Sequence, residues 1–261
     1  MRQRIISALV MFPIVFGAIW LSYPFFHILL VAAVAALAWE WDKMVSNRIT
    51  VAAVINTALA VCGIMMIQTP LALSVFSFVT VIVVLETYFF AKHKEEPYPL
   101  IKAFAPLYIT LFTMSAVFLE NILGAVGLYW LLFIAFANDT GGMLVGCNVK
   151  GPKLCPSVSP AKTWSGFFGG IALATAISVG YVFCFGGVPF SVASVVLITI
   201  PLAIIATLGD LLESKIKRVV GVKDSSSLIP GHGGLFDRID SIMLLMIIFA
   251  GAMVLWGSFV K

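Results

Sequence analysis

The chain has 261 residues, of which 61% are apolar and only 11% charged, with a formal net charge of +4. Soluble domains carry roughly 25% charged residues, so 16 bases and 12 acids are too few to clothe a water-soluble fold of this length. With a mean hydropathy of +1.10 the sequence reads as an integral membrane protein, and its scarcity of charge argues against nucleic acid as a partner.

A helix that crosses a bilayer needs ~20 apolar residues. In chain order the stretches that qualify are 5–22, 25–42, 51–69, 71–91, 99–119, 122–138, 164–185, 190–210 and 237–258. They are continuously apolar rather than alternating, which predicts helices and not a β-barrel. The first follows Met1-Arg2-Gln3-Arg4 but lacks a small-x-small cleavage site, so it reads as a retained helix rather than a signal peptide. The expected fold is an all-α polytopic bundle of about nine transmembrane helices. It forms a single membrane domain, with spans one to five in 1–119. Residues 120–261 hold spans six to nine and two long polar connections, 138–163 and 210–240. No internal repeat is evident, which removes the main sequence sign of a transporter.

The bases orient this arrangement. With a cytoplasmic N-terminus, all 16 Lys and Arg except Lys261 fall on the inside. They include Lys43, Lys92, Lys94 and Lys102 at the early helix ends, and Lys150, Lys153 and Lys162 in the first long connection. Lys215, Lys217, Arg218, Lys223 and Arg238 belong to the second. The positive-inside rule then puts both long connections in the cytoplasm and the C-terminus outside. Cys62 and Cys184 lie in apolar runs, and Cys147 and Cys155 lack a nearby His, so no disulfide framework or zinc site is expected. Among the remaining acids, Glu40 and Asp42 flank Trp39 and Trp41 and read as interface charges, Glu86 as a pairing residue, and Glu120 as a solvated residue on the outside.

The connection 210–240 carries the chemistry. Asp210, Glu213, Ser214 and Lys217 are spaced to share one face of a helix. Asp237 and Asp240 share a face at the start of the last span, and the bases from Lys215 to Arg238 surround these acids. Pro230-Gly231-His232-Gly233-Gly234 precedes a helix N-terminus, where free backbone N–H groups suit a phosphate. Carboxylates interleaved with Lys and Arg suit polyphosphate chemistry, because acids hold a hard cation through oxygen while bases offset phosphate charge. A loop that merely bound anionic lipid headgroups would not need three Asp at two adjoining helix ends, where an unpaired charge is costly.

The stretch Ser214 to Asp240, SKIKRVVGVKDSSSLIPGHGGLFDRID, resembles the signature of the phosphatidate cytidylyltransferases, or CDP-diacylglycerol synthases. The match runs from Ser214, Ile216, Lys217 and Arg218 through Lys223 and Asp224 to His232-Gly233-Gly234 and Asp237-Arg238-Ile239-Asp240. Gly209-Asp210-Leu211-Leu212-Glu213, Asn138-Asp139-Thr140-Gly141 and Ser159-Pro160-Ala161-Lys162-Thr163 are also similar to the family. Two departures are visible: Ala161 stands where members often have a second Lys, and Ser165 where an acid is common.

The resemblance implies an enzyme that joins CTP and phosphatidic acid into CDP-diacylglycerol and pyrophosphate, a step of phospholipid biosynthesis. It implies Mg2+ held by Asp210, Asp237 and Asp240 with Ser214 beside them, and a second, monovalent cation such as K+. Lys217, Arg218, Lys223 and Arg238 are the implied partners of the phosphates, with Gly233 and Gly234 near them. Asp224 is either a further ligand or the partner of Lys223; His232 either orders its loop or contacts phosphate. Asp139, Ser159 and Lys162 either reach the nucleotide or serve local turns. The expected setting is the inner membrane of a bacterium, with a homodimer suggested by the family. Two alternatives stay open at this point: a CTP-dependent kinase of a lipid alcohol such as a polyprenol, and a transporter of an anionic solute or lipid.

Overall fold

The structure is a computed structural model that describes residues 2–47, 51–66, 70–186, 189–231 and 233–259. Its helices are α1 (Arg2–Leu21), α2 (Phe25–Ser46), α3 (Val51–Met66), α4 (Pro70–His93), α5 (Pro99–Val149), α6 (Trp164–Phe185), α7 (Val192–Val219) and α8 (Phe236–Phe259). Two short strands, β1 (Lys153–Cys155) and β2 (Ser159–Thr163), pair antiparallel between α5 and α6. The chain is thus an apolar helical protein with little sheet among the described residues, of whose helices five are long and apolar enough to cross a membrane.

Three expected boundaries move. The fifth and sixth predicted spans are two helices that follow one another without a loop inside the range given as α5, joined by a kink at Gly124, where φ is 64° and ψ −170°. Glycine alone tolerates that backbone cheaply. Glu120 is therefore not a solvated loop residue: it lies within α5 and is buried. The first long connection also starts later than expected, because α5 continues past Asn138 to Val149 and only then turns into the hairpin. Likewise α7 runs on to Val219, so Asp210 lies inside a helix rather than at its end.

The chain divides into two compact units. The first comprises Met1–Phe118 with Val219–Arg238, and the second Leu119–Arg218 with Ile239–Lys261. In the first, α1 to α4 pack in chain order, as short connections between antiparallel helices require. Its core includes Val34, Leu37 and Trp41 of α2. The Trp41 ring packs among Phe104, Tyr108 and Phe236, and its Nε1 donates to the Ile101 carbonyl at 3.1 Å.

In the second unit, buried polar groups link the helices, as they must where water is absent. Trp130 donates to the Ser178 hydroxyl, Ser178 and Thr199 share a hydrogen bond of 2.8 Å, and Tyr181 donates to the Val126 carbonyl at 2.8 Å. The C-terminal arm of α5 crosses α6 through glycines. A Cβ on Gly166 would stand 2.6 Å from the Gly142 carbonyl oxygen, and one on Gly170 would stand 2.6 Å from that of Asn138. Thr163 caps the start of α6 by accepting from the Gly166 N–H at 3.1 Å. A Cβ on Gly209 would lie 2.8 Å from the Asp240 carbonyl oxygen, so α7 and α8 touch at the level of the acids.

Candidate active site

That close approach assembles a carboxylate group in the second unit. Asp210, Glu213 and Asp240 each offer an oxygen within 4.8 Å of the others, and Glu213 and Asp240 are buried. Helical spacing puts Asp210 and Glu213 on one face of α7, and the missing side chain at Gly209 lets α8 bring Asp240 beside them. Lys217, one turn beyond Glu213, lies 2.7 Å from its carboxylate and is itself buried. The Ser214 hydroxyl donates to Asp210 Oδ1 at 3.3 Å. Three hard oxygen donors clustered this tightly repel one another in the absence of a cation, and as a donor set they fit a small divalent ion.

The expected metal trio was Asp210, Asp237 and Asp240; the carboxylates that cluster within the second unit are Asp210, Glu213 and Asp240. Asp237 belongs to the first unit and is turned to backbone donors: Ser225 N–H reaches its two oxygens at 3.1 and 3.0 Å, and Gly234 N–H reaches Oδ2 at 2.8 Å. Glu213 was visible in the sequence as the helical neighbour of Asp210. What the sequence did not carry was the contact distance between α7 and α8.

Asp210 also lines a cavity of about 790 Å³ within the second unit. Lys162 of β2 donates to Asp210 Oδ2 at 2.6 Å across its rim. Asp139 and Ser159 line the same cavity, together with Lys150, Lys153 and Thr207. Asp139 accepts from the Ser241 hydroxyl at 3.5 Å, and the buried Asn138 amide donates to Thr207 at 3.0 Å. The residues singled out in the first connection therefore meet around one space. The two family departures are local: Ala161 lines the cavity, and the Ser165 hydroxyl donates to the Lys150 carbonyl, closing the hairpin's base.

The phosphate cradle expected at the N-terminus of α8 is taken by the protein's own acids. Gly234 N–H serves Asp237, while Leu235 and Phe236 N–H both donate to Glu40 at 2.8 Å. Gly234 is a glycine for want of space: a Cβ there would fall 1.9 Å from Ser225 Oγ and 2.6 Å from Glu40 Oε1. Gly233 has φ of +87° and abuts Asp237. Lys223, Asp224 and Arg238 are exposed, as is Arg218 on α7. His232 and Lys261 lie outside the described residues.

Glu40 is the residue the sequence reading missed. It is 0% exposed rather than an interface charge, and it faces residues almost two hundred positions away. The available signal was an acid within an apolar run, which marks either a pair or a function.

Comparison with known proteins is consistent along the chain. The profile described as the cytidylyltransferase family matches residues 2–256. A phosphatidate cytidylyltransferase of Pseudomonas aeruginosa is 32% identical, covering 99% of this chain and 98% of its own length. One from Haemophilus influenzae is 31% identical over 93% of this chain and 94% of its own. One from Bacillus subtilis is 37% identical over 47% of this chain and 45% of its own.

Proposed function

The chain belongs to the cytidylyltransferase family, and from that membership we propose that it transfers CMP from CTP to phosphatidic acid. A phosphate oxygen of the lipid attacks the α-phosphorus of CTP, the bond to the β-phosphate oxygen breaks, and CDP-diacylglycerol and pyrophosphate are formed. The observation that carries this reading in the molecule is the double role of Asp210, which belongs both to the carboxylate group and to the wall of the basic-rimmed cavity.

The chemistry asks little of a protein base. A phosphomonoester has a second pKa of ~6, so the nucleophile is already largely ionised near neutral pH. What remains is positioning and charge stabilisation. Asp210, Glu213 and Asp240 would hold Mg2+, which when bound offsets negative charge on the triphosphate. Lys162, Lys150 and Lys153 stand around the cavity where phosphates would lie, and Lys217 holds Glu213 in place. Arg218, Lys223 and Arg238 are exposed cations whose charge suits the polar head of a lipid. A monovalent second cation and a homodimer complete the proposal on family grounds alone.

The positive-inside pattern supports a cytoplasmic face for this site in a bacterial inner membrane, with the N-terminus inside and the C-terminus outside. A reporter inserted beside Lys153 should then report the cytoplasm and one fused after Lys261 the opposite side; a shared compartment for both rejects this topology.

The reaction is tested by incubating purified protein with CTP labelled in the cytidine and with phosphatidic acid or diacylglycerol. Label entering the lipid together with pyrophosphate, from phosphatidic acid only, is the expected result. CDP release with a phosphorylated alcohol would identify a kinase instead, and no CTP turnover would reject both.

A further inference from the structure

We propose that Glu40 is a positioning residue for the reaction, a trans-acting cap that holds the signature loop and the start of α8 in their working geometry. The proposal rests on the cytidylyl-transfer reading above. Its basis is the saturation of one buried carboxylate by a single loop. Oε1 accepts from the Ser226 hydroxyl at 2.6 Å and from Leu235 N–H at 2.8 Å. Oε2 accepts from the Ser225 hydroxyl at 3.3 Å and from Phe236 N–H at 2.8 Å. Glu40 belongs to α2, so the four donors lie far from it in sequence and at both ends of the stretch 225–236.

Burying an anion is costly unless its lone pairs are met. Here they are met by charge-assisted hydrogen bonds and by the positive end of α8. The result is a staple across the loop: Ser225 and Ser226 enter it, Leu235 and Phe236 leave it, and one carboxylate ties the two ends. Asp237, in the first turn of α8, repeats the design by accepting from Ser225 and Gly234. Ser225 serves both acids, its N–H one and its hydroxyl the other. Gly234 leaves no room for a methyl group between Ser225 and Glu40, so the loop sequence itself is fitted to the acid.

Two things depend on this staple. The exposed side chains of Lys223, Asp224 and Arg238 are presented by the backbone that it fixes. The first turn of α8 is capped by it, and Asp240 follows within that helix. Glu40 thus reaches the reacting groups only through other residues.

The test uses the full-length protein in detergent with CTP and phosphatidic acid. Glu40→Gln keeps shape but turns one oxygen into a donor that faces donors. We expect kcat to fall about 10- to 100-fold, the scale of an ångström-sized misplacement. KM for CTP should stay within about threefold, and the fall in kcat should exceed what any lowering of the melting temperature accounts for at the assay temperature. Amide hydrogen exchange at Ser225, Gly234, Leu235 and Phe236 should accelerate, while that of α6 should not. Ser226→Ala removes one donor and should show the same pattern at several-fold size, so the proposal stays testable if Glu40→Gln fails to fold. Folded variants with near wild-type turnover, or a loss of activity that only follows the loss of folded protein, overturn it. If wild-type protein does not convert CTP and phosphatidic acid, the proposed function fails, whereas the exchange data still decide whether Glu40 holds the loop.

Discussion

The Lys162 ammonium stands 2.6 Å from Asp210 Oδ2, tying the second strand of the hairpin to α7 by charge. Both side chains are about a quarter exposed, 24% and 27%, so the pair contributes at most about 1 kcal/mol to stability. Its effect lies in the site. Lys162 competes with any cation for Asp210 and also offers the cavity a positive charge.

Lys162→Met should therefore move two quantities in opposite directions. The Mg2+ concentration at half-maximal activity should fall, because a competitor for Asp210 is gone. kcat/KM for CTP should fall about tenfold or more, because a phosphate partner is gone. The melting temperature should hardly change. A Mg2+ titration at several CTP concentrations reads both quantities, and a rise in the Mg2+ requirement would contradict the competition argument.

The acids divide into two kinds by what they touch. Asp210→Asn, Glu213→Gln and Asp240→Asn should each cut turnover about 100-fold or more. Asp210→Asn and Asp240→Asn remove a charge from a mutually repelling group, so the apo protein should melt no lower than wild type. Glu213→Gln also removes the charge that faces buried Lys217 and should lower the melt. Asp237→Asn weakens the acceptor of two loop N–H groups, and should lower stability by about 1–3 kcal/mol as well as slow turnover. Glu95→Gln, at an exposed position beyond α4, should leave both unchanged. Activity assays paired with thermal melts separate the classes; a wild-type melt for Asp237→Asn together with a strongly lowered one for Asp240→Asn would invert the assignment.

The glycine crossing of α5 and α6 sets the cavity's width. Gly166→Ala and Gly170→Ala each drive a methyl into a backbone carbonyl at 2.6 Å, which the two helices can relieve only by separating. Each should cost about 1–3 kcal/mol and depress activity in proportion to the distortion. Gly180 has nothing within 4 Å of its virtual Cβ, so Gly180→Ala should be neutral or slightly stabilising. Melting curves of the three variants check the ranking.

The sequence was sufficient where the signal is periodic or local. Hydropathy marks the helices because a bilayer admits only segments that satisfy their own backbone. The helical face shared by Asp210, Glu213, Ser214 and Lys217 follows from spacing alone, and it returns as the contacts Ser214 to Asp210 and Lys217 to Glu213. The motif from Ser214 to Asp240 named the family for the same reason: its polar residues are fixed along the chain. What spacing does not encode is how near two helices come. The missing side chain of Gly209 lets α7 meet α8 closely enough for Asp240 to join Asp210 and Glu213. Glu40 looked like an interface charge because its partners begin at Ser225, and only folding brings four donors around one buried carboxylate. The free N–H groups expected at the start of α8 were a correct reading of an isolated helix. Tertiary structure spent them on Glu40 and Asp237, because a buried acid and an uncapped helix end each lack what the other supplies.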